Sequence, residues 1–108
     1  MVDESRIAAL QEILKSNPDD AFARYALGLA YSGAGDSEAA LHEFNLLLEA
    51  HPNYTNGYFM AAQVLERDGR INHSREMLLK GIESARQSNN RHALSEMEAM
   101  LEQLQDRE

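Results

Sequence analysis

The chain has 108 residues, with 18 Asp and Glu against 10 Lys and Arg, a formal charge of −8, and no cysteine. That length suits one domain with a modest core rather than two independent ones. The missing cysteines exclude disulfides, zinc–thiolate sites and thiol nucleophiles, and the acidic balance argues against a grip on nucleic acid or an anionic membrane, which needs a net basic face.

Alanine, leucine and glutamate dominate and β-branched residues are scarce, so helices are predicted throughout. The first spans 3–16, with Ile7, Leu10, Ile13 and Leu14 on one face. Asn17-Pro18-Asp19-Asp20 breaks it, and Asp19 or Asp20 can cap the next helix. That helix runs to about Ser32 and stops at Gly33-Ala34-Gly35. Asp36 caps a third helix through Ala50, which His51-Pro52-Asn53 ends. A fourth covers Tyr54 to Arg67 and stops at Asp68-Gly69. A fifth runs from Ile71 to Ala85, the polar run Arg86 to Asn90 connects, and a sixth covers Arg91 to Gln105. The polar residues Gln105 to Glu108 are expected to fray.

The N-terminal stretch carries Asp3, Glu4, Arg6 and Glu12, so it lacks the basic start and apolar run of a secretion signal. No run approaches the about 20 apolar residues needed to span a bilayer. A cytoplasmic protein, or a soluble piece of a larger one, is expected. Asn53-Tyr54-Thr55 and Asn72-His73-Ser74 have glycosylation-type spacing and are read as chance.

Pro18 and Pro52 lie 34 residues apart, and so do Gly35 and Gly69. The same shift places Gly28 on Ala62, Tyr31 on Leu65, Ala40 on Ser74, Phe44 on Leu78 and Leu48 on Ile82. Self-similarity at this period signals a solenoid of helix–turn–helix units. Gly28, Ala62, Ala40 and Ser74 are small where the two helices of a unit cross; the large residues fill the gaps beside the crossing.

Leu27-Gly28, Tyr31, Ala40, Phe44 and Pro52 resemble the tetratricopeptide repeat, whose pattern is W-x2-L-G-x2-Y, then A-x3-F, then P. Arg24 stands where the leading Trp is usual. The second unit is looser: Tyr58, Ala61-Ala62, Leu65, Ser74 and Leu78 match, Arg86 replaces the closing proline, and Gly81 sits inside the second helix. Glycine there costs about 1 kcal/mol relative to alanine, which predicts a softer helix pair. The resemblance implies an all-α, right-handed α-α superhelix of about six helices: a covering helix over 3–16, repeats over 19–52 and 53–86, and a covering helix over 90–106. Aligning the last helix as the first helix of a third unit requires one extra residue in the connector. Ala93, Met97 and Met100 then face inward. Terminal covers of this kind keep a solenoid soluble.

No catalytic, cofactor or metal site is expected. His42, His51, His73 and His92 are never four residues apart, and His92 with Glu96 is a single weak pair. Glu98 with Glu102 reads as a solvated face rather than an acid–base pair. The serines lack a nucleophile-elbow context, and Gly33-x-Gly35 follows a helix rather than a strand.

The resemblance implies a non-enzymatic scaffold whose first helices line a concave groove for a peptide or helix of another protein. By alignment the groove residues are Phe22, Tyr25 and Leu29, then Asn56, Phe59, Met60, Gln63 and Arg67, then Arg91, Leu94 and Leu101. The family's clamp for acidic C-termini uses Lys, Asn and Arg on these faces. Tyr25, Leu29 and Met60 occupy the corresponding places here, which leaves Arg91 alone as a match and argues against such a clamp. An aromatic, apolar groove suits an amphipathic helix or extended apolar peptide. The bland alternative is that Phe22 and Tyr25 pack between helices.

A second reading is self-assembly, since Leu94 and Leu101 form an apolar stripe beside Ala93, Met97, Met100 and Leu104, enough for a symmetric homodimer. Residues 1–54 hold 9 acids and 3 bases, and residues 55–108 hold 9 acids and 7 bases. Arg67, Arg70, Arg75, Lys80, Arg86 and Arg91 would favour an acidic partner segment near the second half, or simply pair along solvated helices.

Overall fold

The computed structural model describes residues 4–107, so Asp3 and Glu108 lie outside the described residues. Six helices follow one another: α1 Glu4–Ser16, α2 Ala21–Gly33, α3 Ser37–Ala50, α4 Thr55–Arg67, α5 Ile71–Gln87 and α6 Arg91–Gln105. Among the described residues there is no strand, and no helix is long and apolar enough to cross a membrane. Successive helices pack antiparallel into a right-handed α-α superhelix, with α2–α3 and α4–α5 as the two complete units.

Three of the starts have side-chain caps. Asp20 accepts from the Ala23 amide at 3.0 Å, Asp36 from Ala39 at 3.1 Å and Asn90 from Ala93 at 3.1 Å. Tyr54 and Arg70 precede α4 and α5 with no such bond. Gly35 and Gly69 carry the chain out of α2 and α4 at φ 82° and 79°, a conformation glycine adopts without steric cost. After α5 that role falls to Asn89, at φ 58°.

The close crossings fall where the residue sizes put them. The Ser74 hydroxyl donates to the Ala62 carbonyl at 2.7 Å, and both residues are fully buried. The Phe44 ring lies over Gly28 so tightly that a Cβ at 28 would sit 2.6 Å from it. Gly81 has a packing role besides its effect on helix propensity. It is buried where α5 meets both α4 and α6, and a Cβ there would lie 2.5 Å from the Met97 sulfur and 2.7 Å from the Tyr58 Cβ. The glycine lets three helices approach closely where any larger residue would clash.

Arg24 fills the place of the usual Trp with an ion pair. Its guanidinium donates to Glu43 at 2.8 Å and to the Pro18 carbonyl at 3.1 Å, and the paired side chains are only 19% and 12% exposed. The apolar interior divides into three clusters along the axis. One lies under α1, around Leu14, Ala23 and Leu27. The next joins α3 and α4 around Phe44, Leu47, Ala61 and Val64. The last joins α4, α5 and α6 around Leu78, Ile82, Met97 and Leu104.

The repeat changes step once. From Ala21 to Thr55 is 34 residues, but from Thr55 to Arg91 is 36, because α5 has 17 residues where α3 has 14. The loop after α5 is one residue shorter than the loop after α3, so the step gains two residues, both within α5, rather than one in the connector. Each residue turns a helix by about 100°, so the face that α6 presents differs from the expected one. Beyond α6, Arg107 pairs with Glu66 of α4.

Candidate protein-binding groove

On the side lined by α2, α4 and α6, a groove of about 510 Å³ opens between α4 and α6. Phe59, Gln63 and Arg67 form one wall; Ala99, Met100, Gln103 and Leu104 form the other; Glu66, Glu96 and Arg107 also line it. Phe59 and Met100 rest on the last apolar cluster, which holds both side chains in place from below.

Of the residues the alignment singled out, Phe59, Gln63 and Arg67 come together here. Phe22 stands apart on α2 and is 70% exposed. Tyr25 is half-buried, its ring 6.2 Å from Phe44 and 5.2 Å from Tyr54. Leu29 and Met60 are half-buried against the middle cluster. Asn56 is exposed and lines a shallow polar recess with Asn53, Ser88 and Asn90. So packing explains Tyr25 but not Phe22.

The α6 assignments need correction. Arg91 is exposed and does not line the groove, while Leu94 and Leu101 are half-buried against the last cluster. With the true step of 36, Leu94 matches Tyr58 and Leu101 matches Leu65, residues that face α5 rather than the groove. Ala99 and Gln103 take the groove positions, as counterparts of Gln63 and Arg67. The signal was present in Asn90: asparagine is a strong N-cap, and counting from it gives the correct register.

Arg67 of the groove is engaged, and so are two arginines away from it. Arg67 donates to the Ser32 hydroxyl, Arg70 pairs with Glu38 at 3.7 Å and Arg86 with Glu98 at 3.6 Å. Burial raises the Tyr25 phenol pKa, and the neighbouring Tyr54 phenol adds to the rise. Tyr54 is raised by burial and then by the Asp20 carboxylate, and Tyr58 by burial alone. All three phenols keep their protons near pH 7, and the Tyr58 hydroxyl donates to the Pro52 carbonyl at 2.8 Å. Among the described residues, no group of three or more His, Asp or Glu could hold a metal ion.

Stacked helix pairs at a 34-residue period, with small residues at each crossing and an apolar groove along the first helices, define a helical-repeat solenoid. The chain belongs to the tetratricopeptide repeat family, whose model matches residues 1–59. A TPR repeat-containing protein of Pseudomonas aeruginosa is 28% identical over 98 residues, covering 91% of this chain and 93% of its own length. The solution structure of a tetratricopeptide repeat domain protein from Salinibacter ruber superposes with a TM-score of 0.80 at 29% identity, over 85% of this chain and 93% of that one. The TPR2B domain of yeast Sti1, solved in complex with pHsp70, has a TM-score of 0.88 at 19% identity, over 94% and 82% of the two chains. At that identity the likeness is one of fold.

Proposed function

We propose that this chain is a non-enzymatic protein-interaction module that holds an apolar segment of a partner protein in the groove between α4 and α6, with Phe22 on α2 as a second anchor. The observation that carries this reading is the groove itself. Its walls bring together the apolar Phe59, Met100 and Leu104 with the amides of Gln63 and Gln103, and charges stand around them. Apolar floors with a few polar groups orient a bound chain. Amide side chains suit a peptide because each offers both a donor and an acceptor to its backbone.

Burial of one large apolar side chain is worth roughly 1.5–3 kcal/mol. Two or three such anchors support micromolar binding, about −8 kcal/mol. A neighbour of the same fold was solved with a protein partner, which supports the general role. Arg67 is already bonded and Glu66 and Glu96 share the lining, so an apolar segment fits better than an acidic tail.

The test is selection of peptides from a random displayed library, followed by titration of the chain observed by NMR. Enriched peptides should share apolar anchors and shift the amides around Phe59, Gln63 and Met100. Met100→Ala and Phe22→Ala should weaken binding about tenfold each, whereas Leu79→Ala, on an exposed site away from the groove, should not. Shifts confined to other surfaces would overturn the reading.

A further inference from the structure

The second helices of the two complete units, α3 and α5, leave a seam between them. No Cα atom of α3 comes within 8 Å of one in α5, whereas α2 and α4, and α4 and α6, do approach that closely. Three cavities of about 400, 300 and 450 Å³ follow one another along the gap. Asn45, Met77 and Lys80 line both of the first two, and Tyr58 and Lys80 line both of the last two, so the three form one channel. It runs beside α5 from His73 to Gln87, roughly 20 Å, the length of about six residues of extended chain.

The seam combines apolar side chains with an excess of acid. Leu41 and Leu65 are buried along its first part, and Leu48 and Met77 are half-buried near its middle. At the far end stands Leu79, 54% exposed, one of three large apolar side chains so open to water among the described residues. Four carboxylates, Glu38, Glu49, Glu76 and Glu83, line the seam against two cations, Arg70 and Lys80. Arg70 is taken up by Glu38 at 3.7 Å, and Glu83 accepts from the neutral Gln87 amide at 3.2 Å. Glu49, Glu76 and Lys80 are exposed and make no hydrogen bond or ion pair among the described residues. With His42 and His73 counted neutral, two negative charges are left over, on a chain whose formal charge is −8. The groove between α4 and α6 differs: two acids and two arginines line it, and Arg107 pairs with Glu66.

We propose that this seam is a second protein-binding site, for an extended basic segment of a partner, with Lys or Arg side chains on Glu49, Glu76 and Glu83 and an apolar side chain against Leu79. Asn45 favours an extended segment over a helix. Its exposed amide stands where the first two cavities meet, bonded to nothing else among the described residues. It offers a donor and an acceptor to a backbone whose own groups are not used up internally. The negative field of the chain draws a cationic segment in, and salt weakens that attraction. No residue lines both this seam and the groove between α4 and α6, so the two sites are independent.

The probe is a synthetic peptide, acetyl-Lys-Leu-Lys-Leu-Lys-Leu-amide, titrated into the 108-residue chain at low salt and followed by NMR. It should shift the amides of Asn45, Glu49, Leu79 and Lys80, and a counterpart with Glu in place of each Lys should not. Glu49→Lys combined with Glu83→Lys should weaken binding about tenfold or more. Leu79→Ala should weaken it about threefold, through lost apolar contact. Met100→Ala, in the other groove, should leave it unchanged. Glu49, Glu83 and Leu79 are exposed, so circular dichroism should show unchanged folding. Shifts confined to Phe59, Gln63 and Met100 would overturn the inference, because the peptide would then occupy the other groove. Equal binding of the Glu peptide, binding that the double charge reversal leaves intact, or no binding up to about 1 mM peptide would overturn it as well.

Discussion

Gly81 and Met97 are in such close contact that the methionine sulfur occupies the space a methyl group on residue 81 would need, at 2.5 Å. A methyl group there would also meet the Tyr58 Cβ at 2.7 Å, and that atom cannot move without its helix. Glycine to alanine inside a helix ordinarily stabilises by about 1 kcal/mol. Here overpacking should outweigh that gain, and Gly81→Ala should lose about 1–3 kcal/mol in urea denaturation. Gly28→Ala, against the buried Phe44 ring, should behave alike. Gly33→Ala is the control: it ends α2 with nothing within 4 Å, and it should be neutral or slightly stabilising. Equal effects at all three positions would contradict the packing argument.

Glu43→Leu should destabilise by about 2–4 kcal/mol, because it strands the mostly buried Arg24 guanidinium. Adding Arg24→Leu should recover most of that loss, since replacing both members of a buried ion pair with apolar groups is often neutral. A double variant no better than the single would show that the Arg24 bond to Pro18 is the more important contact.

Alkali should weaken the fold through its tyrosines. Tyr25, Tyr54 and Tyr58 all have folded-state pKa values above the ordinary 10.0. Below about pH 10 both folded and unfolded chains keep these protons, and the contribution is fully present. As pH rises further the unfolded chain ionises first, so the melting temperature should fall. Tyr54→Phe should make that fall shallower. An identical slope in the variant would remove Tyr54 from the account.

Phe22 and Tyr25 should separate function from stability. Phe22→Ala should change unfolding free energy by less than about 0.5 kcal/mol, because the ring is mostly in water. Tyr25→Ala should cost about 1–3 kcal/mol through its contacts with Phe44 and Tyr54. A large loss in the first variant would mean that Phe22 packs after all.

The helices, the 34-residue period and the small residues at the crossings were legible because each rests on local chemistry: proline, glycine, caps and apolar spacing. Phe59, Gln63 and Arg67 followed, since α2 and α4 keep that period. The α6 wall did not, because no proline or glycine marks the end of α5, whose greater length lengthens the step by two residues, and a one-residue error turns a helix by about 100°. Leu94 and Leu101 were therefore assigned to the groove in place of Ala99 and Gln103. The contact at Gly81 was not legible for a different reason: propensity is a property of one helix, whereas the contact it permits belongs to three.

The three apolar clusters share no buried residue. Damage at one place is therefore felt by adjacent helices and fades along the axis, as in a row of stacked plates rather than a sphere. Amide hydrogen exchange should accordingly be graded, fastest in α1, whose one buried residue is Leu14, and slowest in α4, which is held from both sides. A partner laid along such a row would raise protection unevenly, and the helices that slow most would mark where it lies.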